Sequence, residues 1–259
     1  MQNATGNYAS VNGLNLYYEI HGEGFPLVLL HGGGSTIYST YGRILPDLAK
    51  KHMVIAVELQ AHGHTPDIDR PLTFEQDADD VAELLNELRV VKADFMGFSN
   101  GGTTCIEIAI RHAERVNKLV LIAALVNRNG MPADFWEGMK KATIENMPEP
   151  LKQAYLEINP DPSGLMAMFN RDRDRMLEFR DIPPEKISGI NRSSLVINGD
   201  RDVVTVQHAL ELSALLKGRL AIIPGAHGEY IGEICSGNKI DTIPILVNEL
   251  IEEFLYAAN

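Results

Sequence analysis

Cysteine is nearly absent from this chain of 259 residues, which contains only Cys105 and Cys235. Two cysteines are too few for a disulfide framework or a cysteine-based metal site. No apolar run approaches the length of a membrane span. The first residues, 1–6, lack the basic and apolar regions of a secretory signal. These absences favour a soluble, cytoplasmic protein that does not bind a membrane.

Positive charge is also scarce. The chain has 23 lysine and arginine residues against 35 aspartate and glutamate residues, a net charge of −12. Without a basic stripe, nucleic acid is not an expected partner. The sequence contains neither G-x-G-x-x-G nor a P-loop, so it implies no nucleotide cofactor, and we expect no cofactor at all. Hydrophobic residues make up 45% of the chain, enough for a sizeable core.

The stretch around which the chain is organised is Gly97-Phe98-Ser99-Asn100-Gly101-Gly102. It follows a short apolar run, 93–96, and precedes a segment with apolar residues at helical spacing, 103–110. Ser99 is therefore expected on a sharp strand-to-helix turn, in a strained backbone conformation and with an exposed hydroxyl. Unpaired N–H groups at the start of the helix would face the space beside it. On this motif alone, a glycine-rich turn without chemistry is the alternative.

Strand and helix patterns alternate along most of the chain. An Asn12-Gly13 turn predicts a hairpin of residues 8–11 and 14–20. Later strands are predicted at 26–30, 53–57, 93–96, 119–124, 194–198 and 220–223. Helices are predicted at 39–50, 74–88, after Ser99, 206–216 and 243–256. This pattern predicts an α/β fold with a mostly parallel central sheet of about eight strands and helices on both faces.

Residues 126–192 interrupt the alternation. They show no strand pattern, have helical patches at 135–144, 151–158 and 165–179, and contain six of the nine methionines. We predict a helical cap at 126–192, inserted between two late strands of a core formed by residues 1–125 and 193–259. Its methionines and Trp136 form a small core, line an adaptable apolar pocket, or do both. The charged run 171–175 is expected to be a solvated helix face with local ion pairs.

A serine nucleophile needs an adjacent base, and the base needs a group that fixes its tautomer. Two late loops carry suitable residues beyond the carboxyl ends of predicted strands, where ligand sites form in parallel sheets. One is Gly199-Asp200-Arg201-Asp202, and the other is Pro224-Gly225-Ala226-His227-Gly228. His227 is the candidate base, and either aspartate is a candidate for the acid.

Four motifs follow one another in the order that they have in the α/β-hydrolase superfamily. In chain order they are the loop His31-Gly32-Gly33-Gly34, the turn at Ser99, the Gly-Asp-x-Asp turn and the Pro-Gly-x-His loop. Over nearly its whole length the chain resembles the capped, esterase-like branch. That resemblance implies Ser99 as nucleophile, His227 as base and Asp202, rather than Asp200, as acid.

The resemblance also implies an oxyanion hole made by the backbone N–H groups of Gly33 and Asn100. Gly32 and Gly34 would let the backbone approach the substrate closely, and Trp136 would contact it from the cap. The chain departs from the family pattern in the loop 60–65 and at Asn100 and Ala226. These departures bear on substrate specificity.

The activity implied is that of a serine hydrolase, a carboxylesterase that cleaves a small or medium carboxylic ester by acyl transfer. Carbon–carbon bond hydrolysis, perester formation and amide cleavage use the same triad. A signalling protein that binds a ligand and turns over slowly is the alternative from another class. His62, His64 and Asp67 offer metal-ligand types, but their loop matches a structural feature of the family, and no metal is expected.

Overall fold

A computed structural model describes residues 6–237 and 242–257 of the chain. Eight strands form one sheet in the order β1-β2-β4-β3-β5-β6-β7-β8. The first hairpin and the β2–β4 pair are antiparallel, and the other pairs are parallel. The predicted mostly parallel sheet of about eight strands is thereby confirmed. The strands are β1 Asn7–Val11, β2 Leu14–His21, β3 Pro26–Leu30, β4 Met53–Glu58, β5 Ala93–Phe98, β6 Val116–Ile122, β7 Ser193–Gly199 and β8 Arg219–Ile223.

Helices cover both faces of the sheet. Leu27 and Leu29 of β3 belong to one buried apolar cluster, whereas Val28 and Leu30 belong to another. A strand covered on both sides has no polar face, which is why this segment is a continuous apolar run. The helices are α1 Ile37–Tyr41, α2 Leu45–Leu48, α3 Phe74–Glu87, α4 Asn100–Arg111, α5 Ala133–Lys141, α6 Glu149–Ile158, α7 Pro162–Leu177, α8 Pro184–Ser188, α9 Val206–Leu216 and α10 Ile243–Tyr256.

The predicted single helix at 39–50 is wrong, because two short helices occupy this region. Gly42 ends α1, and Pro46 lies in the first turn of α2. Proline has no backbone N–H, so Pro46 cannot donate the bond to Gly42 that would continue one helix through both segments. The predicted N-cap of α3 is present, since the Thr73 hydroxyl accepts the N–H of Gln76.

Between β6 and β7 the chain forms α5 to α8 and no strand. We call residues 126–192 the insert. Part of it has its own apolar cluster, formed by Met147, Tyr155, Leu165 and Met168. Other side chains of the insert, such as Trp136, join a cluster of the sheet. In the part of the chain that the structure describes, no helix is long and apolar enough to span a membrane.

Candidate active site

Ser99 lies at the turn between β5 and α4, with φ 54° and ψ −118°. This backbone conformation is costly for a residue with a side chain and persists only where the surroundings enforce it. The Ser99 N–H donates to the Ile122 carbonyl at 2.8 Å, which fixes the turn to the sheet. A Cβ on Gly97 would collide with the Gly101 carbonyl, and one on Gly101 with the Leu30 carbonyl. Only glycine fits these two positions, so the sequence motif has a steric cause.

His227 pairs with Asp202 and not with Asp200. The Nδ1 atom of His227 is 2.7 Å from Asp202 Oδ1. The other carboxylate oxygen of Asp202 accepts the Tyr230 hydroxyl at 3.0 Å, and its side chain is fully buried. Asp200 is half exposed and accepts the Gly225 N–H at 2.8 Å. Because a carboxylate only accepts, Nδ1 of His227 carries the proton of this hydrogen bond, and in that neutral tautomer Nε2 has no proton.

The loop after β3 faces the start of α4. In the described part of the chain, no acceptor takes the backbone N–H of Gly33 or Asn100. A Cβ on Gly33 would collide with the side-chain amide of Asn100, so the two residues are in close contact. Two unpaired N–H groups near a serine suit an oxygen that becomes negative during reaction.

Ser99 and His227 border one cavity of about 390 Å³. Its other walls come mainly from apolar side chains of the insert. The lining residues from the core are Gly33, Gly34, Ser99, Asn100, Val203 and His227; those from the insert are Met131, Phe135, Met139, Ala142, Asn146, Met147, Pro148, Leu151, Phe169, Asp172, Arg173 and Met176. The cavity therefore combines Ser99, His227 and a mainly apolar lining.

Two of the predicted substrate contacts lie outside this lining. Gly32 packs beneath the ring of Phe98. Trp136 is buried, and its indole N–H donates to the Arg128 carbonyl at 2.9 Å. Its neighbour Phe135 faces the cavity instead. One residue along a helix turns the side chain by about 100°, so Phe135 and Trp136 lie on different faces of α5.

The charged run 171–175 is not a uniformly solvated face, which corrects the expectation from the sequence. The side chain of Arg175 is only 2% exposed and donates to Asp77 at 2.7 Å. Arg175 also pairs with Asp172, which lies 2.8 Å from His62. Burial raises the pKa of Asp77 to about 7, although Arg175 opposes this rise. A buried ion-pair network therefore joins α7 to α3 and to the loop after β4.

Three residues of the loop 62–67 have side chains of the types that bind metal ions, but each one contacts a different partner. His62 contacts Asp172, and the carboxylate of Asp67 accepts from Arg171. His64 Nδ1 lies 2.8 Å from Glu58, and its ring stacks on Tyr17. Among residues 6–237 and 242–257, no group of three or more histidine, cysteine, aspartate or glutamate side chains is arranged to hold a metal ion.

Comparison with known proteins identifies the family. The sequence model of the alpha/beta hydrolase fold matches residues 26–166, more than half of the chain. The chain therefore belongs to the α/β-hydrolase fold family and is a hydrolase of that family.

Individual relatives show what else the chain resembles. The 2-hydroxymuconate semialdehyde hydrolase of Pseudomonas sp. strain CF600 is 35% identical over 221 residues, 74% of this chain and 76% of that protein. The serine hydrolase BPHL of Homo sapiens is 27% identical, covering 89% of this chain and 83% of that protein. A meta-cleavage product hydrolase from Pseudomonas fluorescens IP01 superposes with a TM-score of 0.79, at 24% identity and over 98% of each chain. At that identity the structural likeness shows the fold alone.

Proposed function

We propose that this chain is a serine hydrolase that cleaves small or medium carboxylic esters by acyl transfer, with Ser99, His227 and Asp202 as its triad. The observation that carries the proposal is the 2.7 Å contact between His227 and Asp202 beside a cavity that also contains Ser99. A carboxylate on Nδ1 leaves Nε2 of the base free to take a proton, as the triad requires.

The chemistry follows from these positions. The Ser99 hydroxyl attacks the ester carbonyl while its proton passes to Nε2 of His227. The electron pair of the carbonyl moves to its oxygen, which accepts the N–H groups of Gly33 and Asn100. When the tetrahedral intermediate collapses, the leaving alcohol takes the proton from His227. Water repeats the attack on the acyl-enzyme and releases the acid.

The insert is proposed to act as a cap that selects the acyl group. Its side chains supply most of the apolar lining, including Met131, Phe135, Met147 and Met176. Such walls favour uncharged acyl chains, because a buried charge without a partner is costly. Methionine is flexible, so this lining suits several chain lengths rather than one.

A second candidate activity is hydrolysis of a carbon–carbon bond next to a carbonyl. The observation in its favour is the 35% identity to a relative named as a 2-hydroxymuconate semialdehyde hydrolase. The same serine, base and oxyanion donors would serve this reaction, so the choice depends on which substrate the cavity accepts.

A fluorophosphonate probe followed by a substrate panel tests the proposal. We expect one adduct, on the peptide that contains Ser99, and none in Ser99→Ala. The panel would contain esters of graded acyl length and vinylogous diketones, and many turnovers per molecule are expected on esters. An adduct elsewhere, or none on folded protein, would contradict the triad. Turnover of diketones alone would favour the second candidate, and a single turnover would favour a ligand-binding role.

Enlarging the cavity is expected to change acyl-chain preference. Phe135→Ala and Met139→Ala remove side chains from the lining, so the ester with the highest kcat/KM should have a longer acyl chain than in the wild type. Trp136→Phe is the matched control on the same helix, because this residue packs away from the cavity. If the two cavity variants leave the ester profile unchanged, or shift it no more than the control does, Phe135 and Met139 do not select the acyl group.

A further inference from the structure

The loop that carries the candidate oxyanion donor Gly33 is held from two sides. On the Gly32 side, the carbonyl of Gly32 accepts from Nδ1 of His31 at 2.8 Å. The other ring nitrogen of His31 accepts the Leu59 N–H at 3.1 Å. Burial, together with the nearby charge of His62, lowers the pKa of His31 to about 3, so this ring is neutral. The Gly32 side is thus fixed by residues of the sheet and its loops.

The Gly34 side is held by the insert. The Gly34 N–H donates to Oδ2 of Asp172 at 2.5 Å, across 138 positions of sequence, and its nitrogen also lies 3.3 Å from Nε2 of His62. A Cβ built on Gly33 would lie 3.3 Å from the same oxygen. Oδ1 of Asp172 accepts from Arg175, one turn further along α7. The Gly33 N–H therefore lies between an anchor in the core and an anchor in the insert.

We propose that Asp172 is a positioning residue that sets the oxyanion hole when α7 packs against the core. This inference rests on the proposed function, since it assigns a role in the same reaction. A donor displaced by about 1 Å loses much of its effect on a developing charge. Asp172 fixes Gly34, and Gly34 in turn fixes the adjacent Gly33. The insert thereby contributes to the chemical step as well as to the walls of the cavity.

The charge of Asp172 is balanced locally, as a site for an anionic intermediate requires. His62 has an acceptor at each ring nitrogen, the Gln60 carbonyl and the Asp172 carboxylate, both at 2.8 Å. An imidazolium satisfies both acceptors, and its Nε2 then cannot accept the Gly34 N–H, which leaves Asp172 as the acceptor of that group. Arg175 is a second cation beside the same carboxylate.

The groups facing His62 from the packed elements agree with this charge state. They are Asp172 and Arg175 from α7, Asp77 from α3 and the neutral His31. Burial lowers the pKa of His62, but the Asp172 carboxylate outweighs burial and raises it. Asp77, whose pKa is raised to about 7, adds at most one negative charge to that of Asp172, so the two cations leave the cluster with no net negative charge toward the oxyanion.

Kinetics of three variants test the role of Asp172. In Asp172→Ala we expect kcat for a short ester to fall by about 100-fold with little change in KM, because the apolar walls of the cavity remain. Asp172→Asn should recover part of the loss, since its amide oxygen can still accept the Gly34 N–H. Asp174→Ala is the control on the same helix, because that carboxylate is exposed and pairs with its neighbour Arg173. An unchanged kcat in Asp172→Ala, or a rise in KM alone, would overturn the proposal.

Nuclear magnetic resonance on the wild-type chain gives a readout that depends neither on a variant folding nor on turnover. At about pH 6 both ring nitrogens of His62 should be protonated, and the Gly34 amide should exchange slowly with solvent. A His62 ring with one proton, or a Gly34 amide that exchanges as fast as an exposed loop, would also overturn the proposal. If the wild type instead hydrolyses no substrate while both signals are as expected, the proposed function fails and the contact stands.

Discussion

Asp202→Asn is expected to lower the kcat of ester hydrolysis by about 10⁴-fold. The carboxylate of Asp202 accepts from Nδ1 of His227 and holds its proton there. An amide can instead donate to Nδ1, which moves the ring proton to Nε2 and leaves no base for Ser99. The measurement is steady-state turnover of a chromogenic ester, with circular dichroism to establish that the variant is folded.

Asp200→Asn is the matched control, two positions away in the same turn. Asp200 accepts the Gly225 N–H, and an asparagine oxygen can accept the same bond. Its side chain is half exposed and does not contact His227. We expect a change in kcat far smaller than that of Asp202→Asn. The reverse ranking of the two folded variants would assign the acid to Asp200.

Arg175→Met is expected to destabilise the protein by about 3–5 kcal/mol. The substitution leaves Asp77, whose side chain is 1% exposed, without its cation, and it removes one partner of Asp172. Arg173→Met is the control, because the Arg173–Asp174 pair is solvent-exposed and such pairs contribute less than about 1 kcal/mol. Urea denaturation measures both free energies of unfolding. Equal small losses would show that the network is not needed for stability.

The stability deficit of Arg175→Met, which is its loss of unfolding free energy relative to the wild type, should depend on pH in a defined direction. Burial already raises the pKa of Asp77 to about 7 in the wild type, and loss of Arg175 raises it further. A carboxyl with a raised pKa in the folded state is stabilised by protonation as the pH falls below that value. The deficit is therefore largest above about pH 7 and shrinks in acid. A deficit that grows in acid would contradict this account.

Local patterns predicted the fold where packing and local preference agree. The run 26–30 is apolar because both faces of β3 are covered, and α9 and α10 begin and end where their periodicity does. The helix at 39–50 failed because its apolar spacing continues across Gly42 and Pro46, while the backbone cannot. Apolar periodicity indicates which residues are buried. It does not reveal that Pro46 lacks the backbone N–H that a continuous helix needs.

The residues of the candidate site also fall into two groups, those that lie in short sequence motifs and those that depend on distant contacts. Ser99, Asp202 and His227 lie in short motifs, so the sequence offered them as candidates, and the resemblance to the family favoured Asp202 over Asp200. Asp172 acts through contacts with residues more than a hundred positions away, and these depend on how α7 is oriented. The helical spacing in the sequence could have indicated this role. Asp172 and Arg175 share a helix face with Met168 and Met176, a pattern that indicates buried charge rather than a solvated run.

The pairing register of β6 and β7 affects the relative positions of Ser99, Asp202 and His227. In the described chain, β6–β7 is the only strand ladder that joins the segment with Ser99 to the segment with Asp202 and His227. A slip of two residues in this register would keep every side chain on its own face, yet it would carry β7 along the strand axis by about 6.6 Å. Asp202 and His227 would then be displaced from Ser99 along the strand axis by that distance. The pairing of Leu119 with Ser194 therefore sets the position of the Asp202–His227 pair relative to Ser99.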